Sequence, residues 1–261
     1  MGCVVALTIA GSDPSGGAGL QADLKTFHQF GVYGEAVVTL LTVQNTKRVT
    51  RVECVASELV IDQLTGVLED IPPGAAKTGA LGNRAIVEAV AEMARSFSFP
   101  LVVDPVLVSK HGAPLLDEEA SAALKRRLLP CAALLTPNMP EAAVLAGIDV
   151  CGIESMKDAA RRLAGLGARA VLVKGGHSAG DPIDVLFAAG EMHELAAPRI
   201  ATRHTHGTGC TYSAAIAAGL AKGNELGEAV ATAKKFISRA IAGNPGLGSG
   251  CGPVNHHSPI S

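Results

Sequence analysis

Val4-Val5-Ala6-Leu7-Thr8-Ile9-Ala10-Gly11-Ser12-Asp13-Pro14-Ser15-Gly16-Gly17-Ala18-Gly19-Leu20-Gln21-Ala22 joins an apolar run to a glycine loop and the first turn of a helix. Residues 4–10 are almost wholly apolar. A strand wetted on one face would alternate apolar with polar, so this run reads as a strand buried on both faces. The loop 11–17 breaks it, and a helical pattern follows through about Phe30. Strand, loop and helix in that order form half of a βαβ unit, the building block of a parallel sheet covered by helices.

The same pattern repeats outward. Residues 36–43 and 49–55 read as strands, residues 58–68 and Arg84–Ala94 as helices, with the short strand Ala75–Thr78 between them. Residues 101–104, 132–136 and 170–174 are compact apolar strands, each followed by a turn or a capped helix. Ile183–Ala188 and residues 192–196 flank Gly190 as an antiparallel hairpin. Helices over Thr208–Ala221 and residues 226–241 follow, and the Gly-, Pro- and His-rich tail 243–261 is expected to lie over the surface. No repeat, low-complexity tract or linker interrupts the 261 residues. The expectation is one α/β domain over residues 1–261: a central, mostly parallel sheet with helices on both faces, in three αβα layers.

Composition narrows the function. Hydrophobic residues make up 48% and charged residues 18%, enough apolar content for a large core and too much for disorder. A net charge of −2 gives no general surface for nucleic acid or anionic membrane. Trp is absent, so stacking platforms for single strands are not expected. The opening residues lack a basic stretch, Ala6 stands where a myristoylation pattern needs Ser or Thr, and no apolar run is long enough to span a bilayer. A cytoplasmic protein is expected. Its six cysteines form no C-x-x-C pair, so they are expected to be reduced and mostly small buried hydrophobes, Cys210 excepted.

Gly17-Ala18-Gly19-Leu20-Gln21-Ala22 fits the G-x-G-x-x-G/A dinucleotide fingerprint. That site also needs a carboxylate closing the second strand to hold the ribose, whereas this strand ends Leu41-Thr42-Val43-Gln44-Asn45. A dinucleotide oxidoreductase is therefore disfavoured. The glycines make a tight turn whose free amides suit a small polar ligand. Asp13 and Asp23 stand near it, with a turn residue and a solvated helix position as their plainer readings. No Walker A pattern occurs, so any ATP is held another way.

In open α/β sheets ligands bind beyond the carboxyl ends of the strands. The strongest chemical signal there is Thr205-His206-Gly207-Thr208-Gly209-Cys210, opening a helix of small residues. Two glycines let backbone N–H groups converge, and the helix dipole adds positive charge, which makes an anion hole suited to a phosphoryl group. Cys210 sits where a thiol pKa is commonly lowered, and could act as a base or a weak hydrogen-bonding group. Asn138 and Glu141 have capping-box spacing; Glu141 could instead hold Mg²⁺ through water. Asp104 ends a strand as a second oxygen donor, and Lys174 ends a third, either as a surface lysine or as a phosphate partner. His204, His206, His256 and His257 lack partners at ligand spacing, so zinc is not expected.

The order of these motifs resembles a known family. The segment 10–25, Val43-Gln44-Asn45-Thr46, Lys77-Thr78-Gly79, Thr136-Pro137-Asn138-Met139-Pro140-Glu141-Ala142, Val173-Lys174-Gly175-Gly176-His177 and His206-Gly207-Thr208-Gly209-Cys210 look like the signatures of hydroxymethylpyrimidine/phosphomethylpyrimidine kinases of thiamine biosynthesis. The similarity spans nearly the whole chain. It implies a ribokinase-like fold and two successive phosphorylations, with ATP and Mg²⁺ as cofactors and a small pyrimidine as substrate. By that resemblance Gln44 hydrogen-bonds the aminopyrimidine, Asp23 lies close to it, and Gly11, Ala18 and Val106 shape its pocket. Asp104 and Glu141 serve Mg²⁺. Lys174, Asn138, Gly207, Thr208, Gly209 and Cys210 serve the nucleotide, and Cys210 or Asp23 accepts the hydroxyl proton. A homodimer is also implied.

Sugar kinases of the wider superfamily carry Asp at the position of Cys210, which argues against a sugar. Ala80 stands where the pyrimidine-kinase pattern has a bulky Met, a change that widens the pocket. The alternatives are a pyridoxal or pyridoxine kinase, and a non-catalytic pyrimidine-binding protein on the same fold.

Overall fold

The computed structural model describes residues 2–108, 112, 115–177 and 180–260. Nine strands are formed: β1 (Val5–Ser12), β2 (Tyr33–Gln44), β3 (Val49–Cys54), β4 (Ala75–Thr78), β5 (Leu101–Val103), β6 (Leu134–Leu135), β7 (Ala170–Val173), β8 (Ile183–Ala188) and β9 (Glu191–Ala196). They share one sheet in the order β3-β2-β1-β4-β5-β6-β7-β8-β9. The six strands from β2 to β7 run parallel; β3 and the β8–β9 hairpin are antiparallel margins. The helices are α1 (Gly19–Gln29), α2 (Ser57–Asp70), α3 (Arg84–Ala94), α4 (Glu118–Ala123), α5 (Met139–Ala146), α6 (Ile153–Gly165), α7 (Thr208–Ala221) and α8 (Leu226–Ala242).

Successive strand residues point to opposite faces, and both faces are dry. On one, Leu7, Ile9, Val103, Val171 and Val173 pack with Leu64 of α2, Val87 of α3, Leu145 of α5 and Leu163 of α6. On the other, Ala6, Val102, Leu134 and Leu172 pack with Phe27 of α1, Ala215 of α7 and Phe236 of α8. This is the three-layer αβα arrangement expected, and it explains why the strands read as unbroken apolar runs. The α7 helix is the most enclosed. A Cβ added at Gly219 would stand 2.9 Å from the Cβ of Ala229, so small residues let α7 and α8 approach closely. Among the described residues no helix is long and apolar enough to cross a membrane.

One irregularity aims side chains at the strand ends. Between paired residues, β1 advances from Ala10 to Ser12 while β2 advances from Val38 to Leu41, so β2 carries an extra residue. Thr39 and Leu40 are consequently both buried, and beyond them the alternation resumes with Leu41 and Val43 outward.

Two expectations are corrected, and one feature had no expectation. The tail does not merely lie over the surface: Pro253 bridges to His206, Val254, His256 and Ser258 are buried, and Asn255 N donates to the Ala240 carbonyl at 2.9 Å. Gly252 threads past the His204 ring where no Cβ fits, which is what a glycine-rich tail permits. None of the six cysteines is fully buried. Cys3, Cys54 and Cys151 are exposed and the other three half-buried, because most fall at element ends rather than on packed faces; all six are free thiols. Finally, α4 runs on through a π-helical turn, Leu124–Leu128, and a 3-10 turn, Leu129–Cys131, which local propensity did not announce.

Glu35 on β2 is 8% exposed, and its Oε2 has no hydrogen-bond partner. Burial, seconded by the negative charge of Asp70, pushes its carboxyl up to about 7. An unfolded chain releases this proton near 4.5, so folding stability falls as pH rises from there to about 7. Glu35→Gln is therefore expected to stabilise the protein at pH 8 by on the order of 1 kcal/mol, with the gain vanishing below about pH 4.5. Urea denaturation at both ends of that range measures it; an equal change at each would contradict the assignment.

Candidate active site

The strand ends open onto a cleft of about 810 Å³. Gly11, Asp13 and Ala18 reach it from the loop after β1, Thr42 and Gln44 from the end of β2, and Ala80 from the segment after β4. Asp104 and Val106 follow β5, Asn138 and Glu141 the start of α5, and Lys174 the end of β7. The turn before α7 closes it with His206, Gly207, Thr208, Gly209 and Cys210. Of the residues singled out from sequence for a site role, only Asp23 does not line it.

At the α7 end the backbone makes the site. Gly207 has φ 78°, and a Cβ there would overlap the carbonyl oxygen of Gly17, so the two glycine loops are in direct contact. A Cβ on Gly209 would lie 3.4 Å from Lys174 Nζ and 3.6 Å from Asp104 Oδ2. Helix start, ammonium and carboxylate thus meet at one place. Lys174 Nζ donates to Asp104 Oδ1 at 3.0 Å, and its own N–H is fixed to the Pro137 carbonyl at 2.8 Å. Thr136 and Ser213 hydroxyls donate to the two oxygens of Asp104 at 3.4 and 3.3 Å. Burial disfavours charge on Lys174, but Asp104 and Glu141 beside it hold the ammonium above the ordinary lysine range.

Glu141 satisfies the local expectation and keeps the functional one open. Asn138 Oδ1 accepts from Glu141 N at 2.9 Å and Glu141 Oε2 accepts from Asn138 N at 2.8 Å, the full capping box. Burial raises its carboxyl, Lys174 opposes the rise and Asp104 adds to it. Among the described residues no cluster of three or more His, Cys, Asp or Glu could hold a metal by itself. Two buried carboxylates sharing one ammonium nonetheless leave negative charge uncompensated. That fits Mg²⁺, which takes one or two carboxylates and completes its shell with phosphate and water.

Cys210 reverses a sequence expectation. Its place at a helix start favours thiolate, yet burial pushes the thiol up to about 11, with Lys77 opposing and Asp23 and Asp104 adding to the rise. At about 11 the sulfur carries its proton at neutral pH.

Asp23 is a second correction. It lies beneath the cleft, fully buried, accepting from Lys77 Nζ at 3.1 and 3.0 Å and from Thr8 Oγ1 at 2.6 Å. Both its oxygens accept hydrogen bonds, and it does not line the cleft. Its partner Lys77 was missed as a site-supporting residue. The signal was present: a charged residue in the otherwise apolar strand Ala75-Ala76-Lys77-Thr78, a place where lysine needs a buried counter-ion. The pair Lys234–Asp184, 2.7 Å apart at the other end of the cleft, was likewise not foreseen.

At the β2 end, Asp13 is buried and accepts from Ser15 N at 2.9 Å, Ser15 Oγ at 2.7 Å and Ala18 N at 2.9 Å. Its Oδ2 stands 2.7 Å from His206 Nε2, which is in turn 3.1 Å from the terminal amide of Gln44. Burial works to raise the Asp13 carboxyl, but the hydrogen bonds from His206 and Ser15 prevail and hold it below the usual range. Among the described residues no group of three or more His, Cys, Asp or Glu forms around this histidine.

Comparison with known proteins agrees with this geometry. The phosphomethylpyrimidine kinase family matches residues 13–255. A hydroxymethylpyrimidine/phosphomethylpyrimidine kinase of Synechococcus elongatus is 46% identical over 262 residues, covering 100% of both chains. The thiamine biosynthesis bifunctional protein ThiED of Geobacter sulfurreducens is 50% identical over 96% of this chain, which spans about half, 51%, of that relative. Among solved structures, a Bacillus subtilis pyridoxal kinase in complex with ADP superposes with a TM-score of 0.91 at 37% identity, covering 98% of each chain. A phosphomethylpyrimidine kinase from Clostridium difficile superposes at 0.82 with 41% identity, over 91% of this chain and 99% of that one. The fold is the ribokinase-like one, and the chain belongs to the phosphomethylpyrimidine kinase family.

Proposed function

We propose that this chain, acting as one unit over residues 1–261 in the cytoplasm, is an ATP-dependent kinase of thiamine biosynthesis. It phosphorylates the hydroxymethyl group of 4-amino-5-hydroxymethyl-2-methylpyrimidine and then the resulting monophosphate. The observation that carries this reading is the meeting of Gly209, Lys174 and Asp104 at the start of α7. Phosphoryl transfer asks the protein for positioning and charge neutralisation more than for covalent chemistry. Asn138 and Lys174 hold the nucleotide's phosphates, and the amides of Gly207, Thr208, Gly209 and Cys210 receive charge on the group in transit. Asp104 and Glu141 hold Mg²⁺, which supplies neutralisation of phosphate charge when bound.

At the other end, Gly11, Ala18, Ala80 and Val106 enclose the ring and Gln44 hydrogen-bonds it. A loose transition state leaves the hydroxyl proton in place until late. A protonated Cys210 therefore serves as a neutral group that orients the hydroxyl, whose proton passes to an oxygen of the transferred phosphoryl group, so that no strong base is needed.

A second reading has a specific observation behind it. The pyridoxal kinase of Bacillus subtilis superposes along 98% of the chain, and Ala80 leaves room for a larger hydroxymethyl-bearing ring. The greater identity to pyrimidine kinases favours the pyrimidine. A silent binding protein would not keep Lys174 and Asp104 paired beside an open helix start.

We also infer a homodimer. Leu41 and Val43 are 53% and 56% exposed on the β2–β3 ribbon, beside the cleft. Opposite them Glu53 and Arg51 form an ion pair on the edge strand, giving an apolar centre with a polar rim.

ADP release with the aminopyrimidine alcohol, its monophosphate and pyridoxal tests the activity. Turnover of both pyrimidines with a larger kcat/KM than pyridoxal is expected, and a preference for pyridoxal would reverse the two readings. Cys210→Ala is expected to lower kcat at least about tenfold, or about 1.4 kcal/mol, while KM for ATP stays within about threefold; unchanged turnover would remove the thiol from the mechanism. Light scattering should find a dimer that Leu41→Glu with Val43→Glu converts to monomer, and a monomeric parent chain would refute the interface.

A further inference from the structure

A second cavity, of about 410 Å³, lies at the opposite end of the sheet from the cleft. Leu101 opens β5, Cys131 precedes β6 and Arg169 precedes β7, so three strands begin at this cavity. Their other ends lead to Asp104, Asn138 and Lys174 in the cleft. Four guanidinium groups line the second cavity, those of Arg95, Arg126, Arg127 and Arg169, and among the described residues no Asp or Glu does. The chain as a whole has more acidic than basic groups, 24 against 22, so composition does not account for this concentration.

The backbone gathers the four from separate segments. Arg95 caps α3 and pairs with Glu92 at 3.0 Å, an ordinary use of a cation at a helix carboxyl end. Arg126 and Arg127 lie on the π turn, where the Leu129 N–H reaches back to the Leu124 carbonyl. Leu124 and Leu128 anchor that turn in the core, and the two arginines between them stay exposed. Such turns are rare and recur at functional sites. Arg169 stands outside any helix, so no helix dipole calls for a cation there.

The same segments are locked together. The Arg169 N–H donates to the Ala132 carbonyl at 3.1 Å. Left-handed Gly167 packs so closely that a Cβ on it would lie 3.1 Å from the Pro130 Cα. Cys131 Sγ donates to the Ala91 carbonyl of α3 at 3.8 Å. Phe97 and Phe99, stacked with centroids 4.6 Å apart, form a wall backed by the core. Among the described residues Arg126, Arg127 and Arg169 form no ion pair.

Like charges gathered on one concave wall repel, and a bound anion offsets that cost. The planar guanidinium fork matches phosphate oxygens two at a time. Three unpaired guanidiniums carry a charge that a diphosphate or triphosphate balances and a single phosphate does not. We propose that this arginine cavity is a second ligand site, which takes a small polyanion with two or more linked phosphoryl groups, inorganic or ester-borne. Nothing in the cleft takes part in it.

The test is calorimetric titration of inorganic tripolyphosphate, with a chelator present, into the whole chain and into Lys174→Met, which lacks the cleft's ammonium. A one-to-one binding event common to both is expected. Replacing Arg126, Arg127 and Arg169 together by Gln is expected to weaken it at least about tenfold. Replacing Arg161, Arg162 and Lys235 by Gln removes as much charge from exposed positions outside both cavities, and should change it less than about threefold. Arg169→Gln alone should weaken the event at least about threefold, which decides the matter if the triple variant does not fold.

An event absent from Lys174→Met, or one that survives the loss of the arginines, overturns the proposal. So does an equal loss in the two triple variants, which marks attraction to net charge alone. Metal-free ATP in place of tripolyphosphate distinguishes the sources. Where arginine-dependent binding is present, tighter ATP binding supports a nucleotide at this site, and equal or weaker binding supports the bare phosphate chain.

Discussion

The carbonyl of Gly17 and the α-carbon of Gly207 are in contact, and nothing bulkier than hydrogen can stand between them. The first belongs to the loop after β1, the second to the turn before α7, and almost two hundred residues of chain separate them. Because Gly207 is left-handed and has no side chain, the turn can dock and still direct the α7 amides into the cleft. The same docking presses His206 against Gly17, carries its ring to Asp13 and so reaches Gln44. The Gln44 end of the cleft and its α7 end are therefore two sides of one backbone junction.

Charge is arranged around that junction in layers. Below it, Lys77 and Asp23 neutralise each other without water, tying α1 to β4 across β1. Within the cleft Lys174 is shared by Asp104 and Glu141, an arrangement with one positive and two negative groups. The first pair is closed, since both partners are fully buried against each other, and breaking one half would leave a buried ion alone. The second is open, which is the state a cation and a polyphosphate can complete. Cys210 lies between the two, and the shortage of water there keeps its proton on sulfur.

Much of this was legible from sequence because it is local. Ala75–Thr78, Arg84–Ala94, Ile183–Ala188 and Thr208–Ala221 were delimited by apolar runs and turn residues alone. The strand-end rule found Gln44, Asp104, Glu141, Lys174 and the two glycine turns, but not the wall that Pro182, Ile200 and Ile237 supply. What escaped depends on who lies opposite. Asp23 on a helix looks solvated until Lys77 is seen across β1. His206 has no partner at ligand spacing in the sequence, and Asp13 and Gln44 close on it from distant segments. Cys210 obeyed a helix-start rule on paper, but its desolvation is set by the sheet beneath. The tail was misjudged for the same reason: composition speaks of flexibility, whereas its path is dictated by the contacts of Pro253, Asn255 and His256.

That tail has a bearing on how the molecule comes into being. Pro253 pairs with His206, Asn255 bonds to the end of α8, and His256 reaches Thr211 on α7 at 3.1 Å. A chain folded only as far as α8 would hold the sheet and its helices but leave the histidine turn without its outer wall. The segment 253–256 therefore couples the finish of the scaffold to the finish of the cleft.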